Sequence, residues 1–380
     1  MGITEFSFPT AIRFGAGARH DIPTALQNKG IQRPLVVTDR GIVALPFFQA
    51  LLQELTQAGL QPSVFSELGG NPVKSQVTAG VEAFRQQSAD AIVALGGGAA
   101  LDVAKAIALM VHHPGDLFDY EDGKPDGRAI DQPIPYVVAI PTTAGTGSEV
   151  GRSSVISDDE THAKKIIFSP RLLPQRVFAD PELLLDLPPK ITAATGMDAL
   201  THCVEAYLAK GYHPMCDGIA IEGVRLVAEN LAKSVADGSD LEARSNMLMA
   251  AMMGAVAFQK GLGVTHSCAH ALSTVYDLHH GLANALMIPY AMQFNLQAVP
   301  ERLARLATVV GADEPTGAGF IAWLNALKAE VGIPNTLTEA GVAVDRLDQL
   351  VAIAFADGCH PLNPRPCTAD DIRGIYTSAF

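Results

Sequence analysis

The second half of the chain concentrates side chains that bind metal ions. They form three groups, Asp198 with His202, His266 with His270, and His279 with His280. In the first two groups the residues are four apart, so on a helix both would project from one face about one turn apart. This spacing suits two ligands of one cation, although an isolated Asp/His pair is more often a surface or capping pair. Oxygen and imidazole ligands suit Fe(II), Zn(II) or Mn(II), so the residue types do not select the metal.

A glycine-rich turn in the first half is a candidate phosphate-binding site. Gly96, Gly97 and Gly98 follow the apolar run AIVAL and precede a helical pattern. Bare backbone N–H groups at a helix N-terminus would face an anion such as a pyrophosphate. The turn is not the GxGxxG dinucleotide fingerprint, because Leu101 stands where the last glycine would be, and many such turns bind nothing.

Two further polar features follow apolar, strand-like runs. Asp39 closes LVVTD, where a carboxylate can accept hydrogen bonds from an adenosine ribose and repel a 2′-phosphate, which would select NAD over NADP. A helix N-cap or turn aspartate is the alternative interpretation. The loop PTTAGTGSE (141–149) packs three threonines, a serine and two glycines after another strand, as a loop that contacts ribose and phosphate needs. An ordinary polar loop would look similar.

The elements that must position these groups change character near the middle of the chain. Up to about residue 190, short β-branched runs alternate with helical patterns, which predicts parallel βαβ units. The predicted strands lie at 33–39, 62–65, 90–98 and from 136 onward, with further candidates at 155–158 and 176–180, and the predicted helices lie at 46–58, 74–88 and 100–111. After the paired prolines of DLPPK, helical periodicity predicts an all-helical half. We therefore predict an α/β dinucleotide-binding domain at 1–187 and an all-α domain at 188–380.

Length and composition bound the function. The chain has 380 residues, 48% hydrophobic and 18% charged, which is enough for a large core and two domains. Its net charge is −13 without a cluster of Lys or Arg, so we expect no nucleic-acid partner. Five scattered cysteines without a CxxC pair favour a reducing compartment over a disulfide framework. The N-terminus has no basic segment followed by an apolar stretch, and no run of about eighteen apolar residues occurs, so we expect a cytoplasmic protein without a membrane partner.

In combination, four motifs resemble the iron-containing alcohol dehydrogenase family. They are GGGAALDVAK (96–105), PTTAGTGSE (141–149), ATGMDALTHCVEAY (194–207), and a His-xxx-His segment followed by HGxxNA (280–285). They occur in the family's order with similar spacing, and the domain pattern agrees over nearly the whole chain. The resemblance implies a dehydroquinate synthase-like fold, an α/β dinucleotide-binding domain followed by an all-α domain, with the metal and nicotinamide in the cleft between them.

The resemblance also implies roles for individual residues. The metal ligands of the family match Asp198, His202, His266 and His280, which would hold Fe2+ or else Zn2+. His270 matches a histidine near the nicotinamide and substrate that is available for proton transfer. The positions that match NAD-contacting residues of the family are Asp39, Asn71, Gly97, Gly98, Asp102, Thr142, Thr143, Lys164 and Leu183.

The chain departs from the usual family pattern at several positions. Ala99 replaces a serine after the three glycines, so it can offer only its backbone N–H to a pyrophosphate. Gly151 and Ser153 stand where relatives that act on simple alcohols often carry Thr and an aromatic residue, and His279 stands where Pro often precedes the last ligand. Loss of an aromatic wall predicts a substrate bulkier or more polar than ethanol, such as 4-hydroxybutyrate or its semialdehyde. Arg152 would offer a carboxylate partner, with a solvent-facing arginine as the alternative interpretation.

The family implies a homodimeric enzyme that moves a hydride between NAD and a small primary alcohol or hydroxy acid and its aldehyde. Two other enzymes on the same scaffold stay open. A hydroxyacid–oxoacid transhydrogenase would keep the nicotinamide bound while two substrates exchange the hydride, so turnover of free NAD separates it from a dehydrogenase. A lyase resembling dehydroquinate synthase shares the fold and cofactor, but the TTAGTGSE and HGxxNA motifs resemble the dehydrogenases. A non-catalytic binding protein would not need a complete ligand set.

Overall fold

A computed structural model describes residues 6–380, which divide into two units of different secondary structure. The first, called here the sheet unit, consists of Pro9–Thr143 and Ser148–Leu184. The second, the helical unit, consists of Leu185–Phe380 together with Ala144–Gly147 and residues 6–8. The chain thus changes unit after Leu184 and makes one short excursion at Ala144–Gly147. The division into domains 1–187 and 188–380 stays a prediction.

The strands all belong to the sheet unit. In chain order they are β1 (Ala11–Phe14), β2 (Pro34–Val37), β3 (Ser63–Phe65), β4 (Ala91–Gly96), β5 (Tyr136–Pro141), β6 (Ser153–Ser157), β7 (Lys164–Phe168) and β8 (Arg176–Ala179). Six of them form a parallel sheet in the order β1-β8-β5-β4-β2-β3. β2 and β4 are buried along their whole length, which explains their continuous apolar runs. β6 and β7 instead pair with each other as an antiparallel hairpin.

The helices of the sheet unit follow the alternation in the sequence. They are α1 (Ile22–Gln27), α2 (Arg40–Val43), α3 (Pro46–Gln57), α4 (Lys74–Gln86) and α5 (Gly98–Met110). α3, α4 and α5 occupy the three predicted helical stretches. The strand β1 had no counterpart in the prediction, because all four of its residues are exposed and it lacks the apolar run of a central strand. The predicted parallel α/β half is confirmed.

The helical unit is built around one buried helix. Its helices are α6 (Pro189–Leu208), α7 (Pro214–Ala236), α8 (Leu241–Ala257), α9 (Val264–Tyr276), α10 (His280–Asn295), α11 (Pro300–Val309), α12 (Gly317–Glu330), α13 (Leu347–Ala356) and α14 (Ala369–Ala379). α6 is buried from Thr192 to Leu208 and packs against α7, α8 and α10. Residues 185–380 contain no strand, so the predicted all-α half is confirmed.

A helix that crosses a membrane must be both long and apolar. Among the described residues, no single helix is long and apolar enough to cross a bilayer. One pair, Leu241–Lys260 with Val264–Tyr276, is long and apolar enough only when the two helices are taken together, and the pair is bent by 109° at its break.

Candidate metal centre and nucleotide-binding turn

Four of the predicted ligand side chains converge within the helical unit. Asp198 and His202 lie on α6, His266 lies on α9 and His280 begins α10. One ligand atom from each lies within 4.8 Å of all the others. The first three residues are buried, and His280 is partly exposed. His279, at the N-cap position of α10, is outside this cluster, so the structure groups four of the six candidates.

The cluster combines one carboxylate with three imidazoles. Asp198 Oδ1 lies 3.4 Å from His280 Nε2 and 4.0 Å from His202 Nε2. The rings of His202 and His266 stack with their centroids 4.7 Å apart. Burial lowers the pKa of His202 to about 4, although the nearby Asp198 carboxylate acts in the opposite direction. An imidazole that stays neutral near pH 7 keeps a lone pair for a metal ion.

Glu205 belongs to the site and was missed by the sequence analysis. Its buried carboxylate lies 2.6 Å from His266 Nδ1. The backbone N–H groups of Thr265 and Gly263 also donate to it, at 2.7 and 3.0 Å. Burial opposes ionisation of Glu205, but the hydrogen bonds from His266 and Thr265 outweigh it and lower its pKa. A signal was present in the sequence, since this glutamate stands in an apolar helical run seven residues after the first ligand.

Asn284 on α10 is a second neighbour that the sequence analysis missed, although it lies within the HGxxNA motif. Its Nδ2 donates to Asp198 Oδ1 at 2.7 Å and lies 3.2 Å from both His266 Nε2 and His280 Nε2. Its Oδ1 is buried and has no hydrogen-bond partner among residues 6–380. A buried acceptor without a partner is costly, and this one belongs to a group surrounded by convergent lone pairs. Three imidazoles, a carboxylate and this amide fit a divalent transition-metal ion.

His270 lies on α9 but has a different set of partners. Its Nδ1 is 2.8 Å from Asp357, which also accepts from Ser267 Oγ at 2.7 Å and from the Cys359 backbone N–H at 2.8 Å. Burial opposes ionisation of Asp357, but the interaction with His270 outweighs it and holds the pKa well below its usual range. The rings of His270 and His280 stack with centroids 5.4 Å apart, so His270 lies beside the ligand cluster. No local sequence signal pairs Asp357 with His270, because 87 positions separate them.

In the sheet unit, Asp39 and the glycine-rich turn meet where the strand order reverses. β3 and β5 lie on opposite sides of the β2–β4 pair, so the carboxyl ends of β2 and β4 form a topological switch point, where open α/β sheets bind ligands. Asp39 lies two residues beyond β2, and Gly97 follows β4 directly and precedes α5 as its N-cap. A Cβ added at Gly96 would lie 3.5 Å from Asp39 Oδ2, so the carboxylate and the turn are neighbours.

Asp39 also performs the capping role that was its alternative interpretation. Its Oδ1 accepts from the backbone N–H groups of Gly41 and Ile42 at 2.8 and 3.0 Å, which caps α2. The cap uses one carboxylate oxygen, and the other lies next to Gly96. A Cβ at Gly97 would crowd Thr143 at 3.3 Å, so the turn is built for glycine. The cofactor role of Asp39 stays a prediction.

The remaining predicted cofactor positions lie in the same unit. Asp102 on α5 accepts from Ser148 Oγ at 2.5 Å and from the Val155 N–H at 3.0 Å, and lies 3.0 Å from Lys105 Nζ. These contacts give Asp102 a structural task, since they tie α5 to the segment that ends in β6. Thr142 follows β5, and its backbone N–H donates to the Gly96 carbonyl oxygen. The other positions are Asn71 between β3 and α4, Gly98 at the start of α5, Lys164 at the start of β7, and Leu183 in the 3-10 turn Pro181–Leu184.

Two charged residues near β6 have surroundings that the sequence did not predict. Glu149, the last residue of PTTAGTGSE, is 1% exposed, and burial raises its pKa to about 7. The guanidinium of Arg152 lies over the Phe168 ring, 5.4 Å from its centroid. Arg152 is therefore held against an aromatic neighbour, and its role as a carboxylate partner stays a prediction.

The fold and the cluster define a class of enzyme. Its members combine a parallel-sheet unit, which has a glycine-rich turn suited to a nucleotide, with a helical unit that has a cluster suited to a metal ion. The model of the family "Iron-containing alcohol dehydrogenase" matches residues 9–181, and that of the "Fe-containing alcohol dehydrogenase family, C-terminal" matches residues 192–380. The chain belongs to the iron-containing alcohol dehydrogenase family.

Individual relatives are similar over the whole length. An NAD-dependent methanol dehydrogenase of Bacillus methanolicus is 38% identical over 385 residues, covering 100% of both chains. A 4-hydroxybutyrate dehydrogenase of Cupriavidus necator is 38% identical over 381 residues, covering 98% of both. The solved structure of a 1,3-propanediol oxidoreductase matches with a TM-score of 0.95 at 36% identity and 100% coverage of both chains. The predicted family, fold class and enzyme class, an NAD-linked, metal-dependent oxidoreductase of small alcohols, are confirmed.

Proposed function

We propose that this enzyme holds one divalent metal ion, Fe2+ or else Zn2+, on Asp198, His202, His266 and His280. The enzyme transfers a hydride between NAD and a small primary alcohol or hydroxy acid and its aldehyde, and these four residues would hold the ion beside the reacting oxygen. The observation that carries the proposal is the convergence of four ligand atoms within 4.8 Å from three helices. When bound, the ion supplies Lewis acidity, which lowers the pKa of a nearby hydroxyl group.

The chain's own residues have separate tasks in this proposal. The glycine-rich turn and the N-terminus of α5 bind the pyrophosphate of NAD, because backbone N–H groups and the helix dipole favour an anion there. The carboxylate of Asp39 accepts hydrogen bonds from the adenosine ribose. His270 takes up and releases the proton of the reacting hydroxyl, with Asp357 accepting from its Nδ1.

The test is metal loading followed by turnover. The purified apoprotein is loaded anaerobically with Fe(II) or Zn(II), bound metal is counted, and NADH formation is followed with a single alcohol substrate. We expect about one ion per chain and release of NADH into solution, which also separates a dehydrogenase from a transhydrogenase. The double variant His266→Ala, His280→Ala should lose both, whereas His112→Ala, which alters an exposed histidine of the sheet unit, should lose neither. Stoichiometric metal and full turnover in the double variant would show that the site is wrong.

For the substrate, we propose a compound bulkier or more polar than ethanol, such as 4-hydroxybutyrate. The absence of an aromatic residue at Gly151 and Ser153 supports it, as does Arg152 nearby. The relatives that act on methanol and on 4-hydroxybutyrate are equally identical to this chain, so overall identity does not decide. The measurement is kcat/KM for ethanol, 1-butanol, 1,4-butanediol and 4-hydroxybutyrate. A carboxylate that is paired with the protein should gain about ten- to a hundredfold over an apolar alcohol. The proposal would be overturned if the unmodified enzyme were most active on ethanol and if Ser153→Phe lost no activity on the larger substrates.

We also propose a homodimer located in the cytoplasm. β1 pairs with β8 and has no second partner strand among the described residues, and Ile12 and Phe14 on it are each 38% exposed. An edge strand with open backbone groups and apolar side chains is a template for a second copy of the chain. All five cysteines are free, as expected of a reducing compartment. Light scattering should give twice the chain mass of 40.0 kDa, and a value of one chain mass would contradict the dimer.

A further inference from the structure

We propose that Glu205 is a positioning residue for the metal ligand His266. Its carboxylate holds the imidazole in the tautomer that carries the proton on Nδ1 and leaves the Nε2 lone pair for the ion. The inference rests on the proposed function, because it concerns the same four-ligand cluster. Glu205 itself is not one of the four ligands.

The tautomer follows from the partners of the ring. An ionised carboxylate only accepts hydrogen bonds, so the contact of 2.6 Å between Glu205 and His266 Nδ1 requires the proton on Nδ1. On the other side of the ring, Nε2 lies 3.2 Å from Asn284 Nδ2, which is a donor group. Both contacts assign the lone pair to Nε2, the atom on the side of Asp198 and His280. A carboxylate on the far nitrogen of a ligating histidine also raises its basicity and fixes the orientation of its ring.

The carboxylate is surrounded by donors on both of its oxygens. Oε1 accepts from the Thr265 N–H at 2.7 Å, and Oε2 accepts from the Gly263 N–H at 3.0 Å and from the His266 N–H at 3.3 Å. A glutamine here would turn its NH2 group toward at least one of these N–H groups in either orientation. An NH2 group aimed at Nδ1 would in addition favour the opposite tautomer, with the proton on Nε2. Glu205→Gln therefore removes the negative charge beside His266 and disturbs at least one of these hydrogen bonds, while preserving the size of the side chain.

Glu205 also caps α9, so its two tasks need separate measurement. Asn363 offers a matched control, because it contacts the N-terminus of the same helix: its Oδ1 accepts from the Val264 N–H at 3.3 Å. The other side-chain hydrogen bonds of Asn363 join it to Asn295 and to the Arg365 carbonyl, and not to any of the four proposed ligands. Asn363→Ala should lower the thermal stability of the apoprotein without changing the metal Kd.

The experiment measures the Kd for Zn(II) by competition with a chromophoric chelator, and the apoprotein Tm, in the unmodified chain, Glu205→Gln, Glu205→Asp and Asn363→Ala. Metal-induced absorption is recorded separately after loading with Co(II). We expect Glu205→Gln to weaken Zn(II) binding by about ten- to a hundredfold and to change the Co(II) spectrum. Asn363→Ala should retain both the affinity and the spectrum of the unmodified chain.

The outcomes separate this inference from the proposed function. If the unmodified chain binds no stoichiometric metal, the proposed function itself fails. If it binds metal and Glu205→Gln binds it equally well, or if Asn363→Ala loses as much affinity, Glu205 has a structural role only and the inference is overturned. Should Glu205→Gln not fold, Glu205→Asp decides, since its shorter side chain keeps the charge but withdraws from His266. A Kd equal to that of the unmodified chain would then overturn the inference.

Discussion

At the scale of single residues, two carboxyl groups of the sheet unit differ in what their oxygens contact. Asp39 uses one oxygen to cap α2 and has the other beside Gly96. Glu149 shows the opposite situation, a carboxyl group whose burial is incompletely compensated: its Oε1 has no hydrogen-bond partner among the described residues. Both residues belong to the sheet unit, yet Asp39 is partly exposed and Glu149 is buried.

Asp39→Gly should narrow or reverse a preference for NAD over NADP. A carboxylate beside a 2′-phosphate costs about 1–3 kcal/mol, so the ratio of kcat/KM values for the two cofactors should change by about ten- to a hundredfold. Glycine is the appropriate replacement, because it costs an N-cap only a few tenths of a kcal/mol. Asp240→Gly is the matched control, since Asp240 caps α8 in the same way by accepting from the Ala243 N–H. Equal efficiency with both cofactors in the unmodified enzyme would remove Asp39 from the role.

Glu149→Gln should change how stability depends on pH. Burial raises the pKa of Glu149 from 4.5 to about 7, so the unfolded chain loses this proton at lower pH than the folded protein does. The folded state therefore loses stability as pH rises through this window, by up to about 3 kcal/mol for this group. Glutamine does not titrate, so the variant should gain Tm relative to the unmodified protein between about pH 5 and about pH 8. Glu160→Gln, at an exposed position of the same unit, should show no such gain, and a pH-independent difference for Glu149→Gln would refute the prediction.

At the scale of elements, the ligand cluster depends on how closely the helices approach α6. A Cβ at Gly281, in the first turn of α10, would lie 2.3 Å from the Ala194 carbonyl oxygen and 3.2 Å from Asp198 Cβ. A Cβ at Gly254 on α8 would lie 2.9 Å from His202 Cβ. Glycine thus permits contact between backbones at the two places where α6 carries its ligands, and the approach brings His280 to Asp198.

Gly281→Ala should therefore damage the site as well as the packing. The added methyl group cannot be accommodated against a carbonyl at 2.3 Å, so α10 must move away from α6 and carry His280 with it. We expect a loss of about 1–3 kcal/mol in stability and at least a tenfold weaker metal Kd. Gly218→Ala on α7 is the control, because a Cβ there meets nothing within 4 Å, and it should be neutral or slightly stabilising. Unchanged metal affinity in Gly281→Ala would contradict this account.

At the scale of the whole molecule, the proposed metal ligands link separate helices of the helical unit. They lie on α6, α9 and α10, and α7 and α8 separate the first of these helices from the other two, so an ion bound to all four requires that these helices are assembled. An ion that binds the folded state alone stabilises it by mass action. The same segments contain the buried core of the unit, so loss of the ion should be felt beyond the site.

Removal of metal should lower the Tm reversibly. At a free-metal concentration of one hundred times Kd, binding contributes about 2.7 kcal/mol, which corresponds to about 5–10 °C for a unit of this size. Calorimetry with and without a chelator measures the shift, and added metal should restore the Tm. The double variant His266→Ala, His280→Ala serves as the control and should show no metal-dependent shift. An identical Tm with and without metal in the unmodified protein would contradict the coupling.

The sequence alone predicted the parts of this protein that depend on local pattern. Alternating apolar runs and helical periodicity predicted the parallel sheet and the all-α half, because side-chain period and burial are properties of a few consecutive residues. The spacing of Asp198 and His202 placed both on one helix face, which the geometry of an α-helix guarantees. The resemblance then selected His266 and His280 from a larger set of histidines, a choice that spacing alone left open.

Only the tertiary structure decided which distant groups meet. Asp357 binds His270 from 87 residues away, and the carboxylate of Glu205 binds His266 from 61 residues away. Strand pairing is likewise decided by the tertiary structure. The short or exposed runs of β1, β6 and β7 do not indicate that β1 lies at the edge of the sheet or that β6 and β7 form a separate hairpin. Periodicity states which face of an element is buried but does not state against what, so the partners of a buried polar group appear only when the helices and strands that carry them have packed.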